Sequence, residues 1–345
     1  MAVTLSVSNE QLTMTTLAYQ PGVADGNFRK LCLQDAWSRG LGAAAKQDGG
    51  NLMIQSVQFG AHSSPTELTG LGYDTVGLTT QTTGFFAQYG WHAVVWPALI
   101  AVLEEEQNAG AQQMHDLAKT RTDNVMGEAM RRKEQHLFQG GQTGYSALTT
   151  LNGVDVATGV FEGAVPASQT HSFGGLSRAT FATFPGWSHL YGSAGNAYAS
   201  NGEAVVRAVI NTSRQRLLPV DRIFASLPGL ANHQRALGNH QDMVKDELSG
   251  RMITQFQGIE VEQSEYMPGI GMGGTTTTTA GSEISFMGMS FKGIPLKVLR
   301  QNSLRFLGWK DVPDRPVRIG MFIDISQVCP FYMGSSFMIQ GADTY

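Results

Sequence analysis

Three short segments contain residue types and spacings that could support chemistry. Residues 269–274 have the glycine pattern of a turn that brings the backbone close to a dinucleotide pyrophosphate. Residues 186–189 and 192–195 each hold a serine near a glycine, as in the tight turn that carries a hydrolase nucleophile. None is complete. Pro268 precedes the glycine run and five threonines follow it, and neither serine segment forms Gly-x-Ser-x-Gly.

Metal and redox chemistry have no better basis in the sequence. Cys32 and Cys329 lie far apart and predict two free thiols rather than a disulfide framework. The histidines are scattered without metal-ligand spacing, at His62, His92, His115, His136, His171, His189, His233 and His240. We therefore expect no catalytic residue, no cofactor and no metal, and predict that the chain is not an enzyme.

The composition favours a protein whose surface is covered by neighbours. The 345 residues are 42% apolar, enough for a sizeable core, yet only 15% are charged. Interface cores are depleted in charge, so such a surface suits repeated subunit contacts; an ordinary β-rich protein is the alternative. The net charge of −4 gives no electrostatic footprint for gripping nucleic acid. The first residues do not resemble a secretory signal, and the most apolar run, residues 93–103, is too short to span a bilayer.

The element expected to organise this chain is a long helix predicted over residues 97–138. Pro97 suits the first helical turn, where its missing N–H costs nothing. Acidic residues lie toward the start and basic residues toward the end, as the helix dipole favours, and apolar residues recur at helical spacing. Gly110 and Gly127 are weak points, so two shorter helices broken near Gly110 are the alternative. One helix of roughly 60 Å would make the subunit elongated.

Two β-prone segments precede this helix and bracket a long loop. Residues 51–60 and 80–96 predict strands, whereas residues 61–79 show no helical periodicity. We predict an extended β-hairpin, and expect it to lie on another surface because an isolated two-stranded ribbon is marginal in water. Before it, residues 1–23 predict an arm and residues 25–46 a short helix.

The second half predicts an α+β unit around a mixed or antiparallel sheet. Helices are expected at 201–217, capped by Asn201, and at 228–237. Strands are expected at 220–225, at 242–263 as pairs around Gly258, at 283–298 as a hairpin turning near residues 292–293, at 317–326 and at 337–340.

Four charged residues of the predicted helix are candidates for subunit contacts. Glu104 and Glu105 belong to an acidic run that either forms a solvated helix face or meets an arginine-rich patch of a neighbouring subunit. Arg131 and Arg132 belong to the basic run near the other end of the helix.

Arg178 and Trp187 are candidates for anchoring a loop. Arg178 lies in sequence among aromatic residues that include Trp187 and follows a glycine pair. An arginine in that setting can stack on a ring and donate to backbone carbonyls, which would fix an irregular loop. The alternative is an ordinary loop arginine.

A series of short motifs follows one order along most of the chain. They are residues 49–60, Gly72-Tyr73-Asp74-Thr75, the aromatic strand leading into the long helix with Glu105 and residues 108–110, residues 137–140, 151–154 and 174–180, and Trp187. This order resembles that of tailed-bacteriophage major capsid proteins of the HK97-like fold. With it, Tyr73 and Asp74 join the candidates for subunit contact or loop anchoring.

The resemblance implies a structural protein with an α+β, HK97-like capsid fold. Its implied parts are an N-terminal arm (1–48), an extended β-hairpin loop (49–96), a peripheral domain with the spine helix (97–149), an axial domain (150–315), and C-terminal strands returning to the peripheral domain (316–345). Such subunits would assemble in the host cytoplasm into pentamers and hexamers of an icosahedral head, and would reside in the virion. The implied partners are other copies, portal, scaffolding and decoration proteins, and non-specifically packaged double-stranded DNA, with no membrane.

Two departures from relatives shape these expectations. The predicted arm is short and no long helical segment precedes it, so scaffolding would be a separate protein, or the chain would already be the mature form. No Lys–Asn pair for covalent linkage aligns, so we predict non-covalent assembly. An encapsulin-like bacterial nanocompartment shell protein is the alternative that shares the fold, and an α+β hydrolase with an unrecognised site is the alternative from another class.

Overall fold

The computed structural model describes most of the central and C-terminal chain. The described residues are 31–38, 45–58, 84–107, 117–139, 143–145, 172–177, 187, 189–193, 198, 202–237, 243–245, 252–267, 284–300, 304–313 and 315–340. Five helices are described: α1 Cys32–Ser38, α2 Val102–Gln107, α3 Leu117–Gln139, α4 Glu203–Arg214 and α5 Leu227–Leu237.

Sixteen strands are described, most of them in two larger sheets. Those before α4 are β1 Ala45–Gln47, β2 Leu52–Gln58, β3 Gly84–Gly90, β4 His92–Ala101, β5 Ser172–Phe173, β6 Leu176–Ser177 and β7 Leu190–Ser193. Those after it are β8 Arg222–Ala225, β9 Met243–Lys245, β10 Met252–Phe256, β11 Ile259–Gln263, β12 Ile284–Met289, β13 Leu296–Leu299, β14 Arg305–Asp311, β15 Val317–Val328 and β16 Phe337–Gln340. The predicted α+β class is confirmed.

The first sheet is built around the long strand β15. On one side β15 pairs antiparallel with β4 over ten residues, from His92 opposite Ser326 to Ala101 opposite Val317. On the other side it pairs with β14 and then with β13, which continues to β1. Helix α3 packs against β4, so one face of this sheet is covered by the helix.

The predicted start of the long helix at Pro97 is wrong. Residues 92–101 form β4, and Pro97 lies opposite Met321 in the ladder. Within the described residues β4 pairs only with β15, so Pro97 occupies an edge strand, where a missing N–H is tolerated. The helical prediction failed because a proline and a short apolar run fit both a first helical turn and an edge strand.

Helical structure follows β4 in two described pieces. α2 begins at Val102, and α3 spans about 35 Å at 1.5 Å per residue. Residues 108–116, which contain Gly110, lie outside the described part of the chain, so continuity between α2 and α3 stays a prediction. α3 runs through Gly127 without interruption.

The predicted pairing of the two strands before the helix is confirmed. β2 and β3 form an antiparallel ladder from Leu52 opposite Gly90 to Gln58 opposite Gly84. The second strand ends sooner than expected, since Trp91 separates β3 from β4, which belongs to a different sheet. The hairpin tip, residues 59–83, lies outside the described residues.

The second sheet has the strand order β7-β16-β12-β8-β11-β10-β9. Its central strand β8 is buried at every position. α4 packs on β7 and β16 through a buried stripe of Val206, Val209, Ile210 and Ser213, whose spacing matches one face of a helix. α4 and α5 lie within the ranges predicted for them to within a residue; Asn201, the expected cap, is outside the described residues.

Two predicted elements are corrected by the structure. Residues 283–298 are not a hairpin: β12 lies in the second sheet and β13 in the first, and the segment between them crosses the core with Phe291 and Ile294 buried. A buried apolar crossing cannot be told from a turn by local composition. The helix expected at 25–46 is described only as α1, and its predicted end is the strand β1, parallel to β13.

Helix α1 lies where the sheets, the hairpin and α3 meet. The Nε1 of Trp37 donates to the carbonyl oxygen of Ile294 at 3.3 Å, and the Cys32 thiol to that of Gln263 at 3.0 Å. The ring of Trp37 meets that of Phe291 edge-on. Side chains from all these elements form one buried cluster, so α1 is part of the main core.

A buried ion pair holds α3 on the first sheet. The Nζ of Lys133 lies 2.8 Å from Oδ2 of Asp324 and 2.7 Å from Oγ of Ser326, and all three side chains are buried.

Near this ion pair, burial lowers the pKa of His92. Its Nε2 lies 2.9 Å from the carbonyl oxygen of Gly144, so the neutral ring donates its single N–H there.

Replacing Gly127 by alanine should stabilise the chain. An added Cβ meets no atom within 4 Å, and alanine in a helix interior is favoured over glycine by about 0.5–1 kcal/mol. The midpoint of urea unfolding should therefore rise. Gly288→Ala is the matched control, because its Cβ would overlap the ring of Phe337 and should lower the midpoint. A lower midpoint for Gly127→Ala would contradict the described helix.

Lys133→Met should destabilise the chain by about 3–5 kcal/mol, because it leaves the Asp324 carboxylate buried without its cation. Urea unfolding followed by circular dichroism measures the loss. Combining Lys133→Met with Asp324→Leu removes both charges and should restore most of the stability. A loss below about 1 kcal/mol for the single variant would show that the pair is not buried as described.

Candidate functional site

Candidate subunit-contact surfaces are the uncovered apolar faces of the described chain. The hairpin has one. The cross-strand register places Leu52, Ile54 and Phe86 on one side of the β2–β3 ribbon, where Ile54 is 62% and Phe86 64% exposed. We call these three residues the hairpin face. The other side, with Met53 and Tyr89, is buried in the main core.

The first sheet has the second uncovered face. β4 and β15 pair residue for residue, so alternate side chains of both strands share the side opposite the buried Lys133–Asp324 pair. These side chains are all apolar, and we call them the sheet face: Ala93, Val95, Pro97, Leu99, Ile319, Met321, Ile323 and Ile325. They are exposed on β4 and partly exposed on β15. Arg305 and Lys310 of β14 lie beside them and are exposed.

The described part of the hairpin is fixed to its own subunit. The hydroxyl of Tyr89 donates to the carbonyl oxygen of Pro330 at 2.7 Å. The backbone N–H of Gln88 donates to the carbonyl of Gly174 at 2.9 Å, where the turn between β5 and β6 meets β3. Gly174 has φ of 56°, and a Cβ there would lie 2.8 Å from that of Ala87. The ribbon is expected to lie on another surface, and its inner side, which carries Met53 and Tyr89, does so by packing on the core of its own subunit.

Trp187 lies beneath that turn. It is fully buried, its indole Nε1 lies 3.4 Å from the carbonyl oxygen of Leu176, and its ring meets Phe173 edge-on. These contacts join it to the β5–β6 turn that meets β3. Its predicted partner Arg178 lies outside the described residues, as do Tyr73 and Asp74.

Glu104 and Glu105 both form ion pairs within the chain. A carboxylate oxygen of Glu104 lies 3.1 Å from the guanidinium of Arg121, which joins the start of α2 to α3. Glu105 lies 2.5 Å from Arg318 of β15. All four side chains are at least partly exposed, and such pairs contribute little to stability. Both carboxylates therefore have partners within their own chain, and their role in contacts with a neighbouring subunit stays a prediction.

Arg131 and Arg132 likewise turn to their own helix. Both donate to the carboxylate of Glu128, at 2.7 Å in each case. Their charge lowers the pKa of Glu128 to about 2, with the hydrogen bond from Arg131 as the largest cause. The guanidinium of Arg132 also lies over the ring of Trp96, 5.6 Å from its centroid, and so contacts β4.

Sequence reasoning missed the buried carboxyl of Glu134. One oxygen accepts the backbone N–H of Leu33 at 2.6 Å and the other that of Gln34 at 3.1 Å, so the start of α1 is bound to α3. Burial raises the pKa of Glu134 to about 7, the two N–H bonds oppose the rise, and the nearby charge of Glu262 adds to it. Its spacing from Leu137 and Phe138, which follow three and four residues later and are both buried, was the available signal.

Neither a metal centre nor a membrane span is found in the described residues. They contain no cluster of three or more histidine, cysteine or carboxylate side chains placed to hold an ion. Across the same residues, every helix is too short or too polar to cross a bilayer.

Comparison with known proteins gives matches in structure but not in sequence. No protein-family model and no curated protein matches the chain. The capsid asymmetric unit of cyanophage A-1(L) aligns with a TM-score of 0.57 at 12% identity, over 96% of this chain and 99% of that one. The capsid of the native GTA particle aligns with a TM-score of 0.55 at 12% identity, over 99% and 100%.

A bacterial compartment matches equally well. The holo-SrpI encapsulin complex of Synechococcus elongatus PCC 7942 aligns with a TM-score of 0.56 at 10% identity, over 97% of this chain and 95% of that one. Most of the structures similar to this chain are phage capsids. At such low identity the likeness establishes the fold, and the chain has the HK97-like α+β fold shared by phage capsid and encapsulin shell subunits.

Proposed function

We propose that this chain is a major capsid protein that closes, with many copies of itself, into an icosahedral phage head around double-stranded DNA. The observation that carries the proposal is an alignment over nearly its full length with subunits of closed shells. The two uncovered apolar faces support it, because exposed apolar patches of this kind mark interaction surfaces.

The two faces suggest how the copies meet. They are different surfaces, so a contact between the hairpin face of one subunit and the sheet face of another is heterologous, and heterologous contacts close into rings when the rotation permits. Five- and six-membered rings are the proposed capsomers. Within the sheet face, Val95 and Leu99 offer exposed aliphatic area to Ile54 and Phe86 of a neighbour.

The division into parts is also a proposal. α3, packed on the first sheet, is the proposed spine of a peripheral domain, and the second sheet with α4 and α5 is the proposed axial domain. Residues 1–48 are the proposed arm, whose described parts α1 and β1 lie in the main core and the first sheet of their own subunit. Portal, scaffolding and decoration proteins are proposed partners. The mildly acidic chain, with net charge −4, would not bind the packaged DNA tightly, so its proposed contact with that DNA is non-specific. We propose assembly in the host cytoplasm and residence in the virion.

An encapsulin-like compartment is the second candidate, favoured by the match to a cyanobacterial encapsulin. The two candidates differ in what the shell encloses. Portal and terminase genes beside this one would favour the phage head, whereas a neighbouring gene for a cargo enzyme would favour the compartment.

The purified full chain should form closed shells or ring-shaped capsomers. Negative-stain electron microscopy of the product, alone and with a co-expressed scaffolding protein if its gene neighbourhood supplies one, tests this. Compact monomers under both conditions would contradict the proposal.

Ile54→Asp and Phe86→Asp should each block assembly. Both side chains are exposed in the subunit, so the fold should tolerate the change, whereas a carboxylate buried against the apolar sheet face of a neighbour would cost several kcal/mol. Size-exclusion chromatography should show subunits in place of shells. Leu217→Asp is the matched control, because Leu217 is 79% exposed and belongs to neither face. Normal assembly of both hairpin variants would exclude this contact.

The shells should dissolve into single chains in hot detergent. The proposed contacts join apolar faces and are non-covalent, and no Lys–Asn pair for a covalent link is recognised in the sequence. Denaturing gel electrophoresis should give one band near 37.2 kDa. A ladder of larger bands that persists under reducing conditions would show covalent linkage.

A further inference from the structure

Glu134 is a buried carboxyl at the centre of an otherwise apolar contact. Its side chain is fully buried. It receives three N–H bonds from α1: the backbone N–H of Leu33 at 2.6 Å, that of Gln34 at 3.1 Å, and the Gln34 side-chain amide at 3.2 Å. The same amide donates to the carbonyl oxygen of Met130 at 2.7 Å. The contact between α1 and α3 is therefore centred on one ionisable group.

The charges around Glu134 leave its ionised form without a described cation. On α3, Lys133 pairs with Asp324 and Arg131 pairs with Glu128. From β11, Glu262 approaches with the same sign of charge, and it is bound to Arg222. Other titratable groups on the packed elements include Asp35 on α1, Arg132 and His136 on α3, Glu260 on β11 and Lys292 in the crossing before β13. Among the described contacts, a carboxylate at Glu134 is stabilised by the N–H donors of α1.

Protonation of Glu134 removes the cost of burying its negative charge without breaking the contact between α1 and α3. A neutral carboxyl can donate one hydrogen bond while still accepting others, and the amide of Gln34 can serve as donor or acceptor. If α1 undocks from α3, Glu134 becomes exposed to water, where a carboxyl ionises readily. The docked and undocked states of α1 therefore differ in their affinity for a proton.

We propose that α1 is a proton-linked latch, which holds α3, β11 and the crossing before β13 together when Glu134 carries its proton and loosens when that proton leaves. The three elements are joined through α1 because Cys32 bonds to Gln263 and Trp37 to Ile294. Opening the latch breaks the hydrogen bonds from α1 to Glu134 and Met130 on α3, and one hydrogen bond to each of the other two elements. The device acts within one subunit, so its test does not depend on assembly.

The sign of the pH dependence follows from the direction of the shift. The pKa of Glu134 is raised by burial to about 7 in the docked state, above the value of about 4.3 for a solvated glutamate. Docking is therefore strongest below the solvated value and weakens as the pH rises to the docked value. Between about pH 5 and pH 8 the opening equilibrium constant of α1 should rise on the order of fifty-fold.

Amide hydrogen exchange of the full chain, followed by mass spectrometry, tests the latch. Opening constants are compared for residues 31–38 and for β15, after correction for the intrinsic pH dependence of exchange. In the unmodified chain α1 should open more readily at pH 8 than at pH 5, relative to β15. No difference between the two pH values would overturn the proposal, and this measurement needs no variant.

Two variants identify the group that titrates. Glu134→Gln should remove the extra pH dependence of residues 31–38, because its side chain cannot ionise. Glu128→Gln is the matched control on the same helix, since the pKa of Glu128 lies at about 2 and does not titrate in this range. It should keep the dependence of the unmodified chain. A pH dependence that survives Glu134→Gln would assign the effect to another group and refute the latch.

Discussion

The burial of two adjacent ionisable side chains on α3 determines how the rest of the subunit is arranged. Lys133 reaches Asp324 in the first sheet, and Glu134, the next residue, holds the start of α1. Neighbouring helical residues point about 100° apart, so the helix is covered on two sides at this level. Each of these side chains needs an ion-pair or hydrogen-bond partner for the helix to be buried, since an unpartnered buried polar or charged group costs several kcal/mol. This requirement fixes the rotation of α3 about its own axis.

The same requirement explains what the sequence could predict and what it could not. α4, α5 and β16 have strong local patterns, and their predicted ends agree with the structure to within about three residues. The partners Lys133 and Asp324 are separated by 191 residues, and no local pattern connects them. Pro97 was misplaced because its neighbours satisfy two periodicities at once. The hairpin expected at 283–298 failed for a similar reason, because strand alternation does not reveal which sheet a strand enters.

The candidate contact residues show the same difference between what a local pattern reveals and what depends on distant partners. Glu104, Glu105, Arg131 and Arg132 were chosen for exposed charge, and the described structure shows each of them bound to its own chain. The uncovered apolar faces could not be selected from sequence, because exposed and buried apolar residues look alike until the ladders are known. The order of short motifs identified the fold, since order reflects the topology of the whole chain, whereas the roles of the single candidate residues stay predictions.

The separation of the hairpin from the first sheet by a single residue has a mechanical consequence. Trp91 alone lies between β3 and β4, and its indole is hydrogen-bonded to the carbonyl oxygen of Gly50 at 2.8 Å. So short a hinge has almost no slack. A pull on the hairpin therefore reaches β4 as torsion rather than being absorbed in a loop, and β4 passes it to β15 through ten paired residues. Strain applied to the hairpin would therefore reach the first sheet, on which α3 packs.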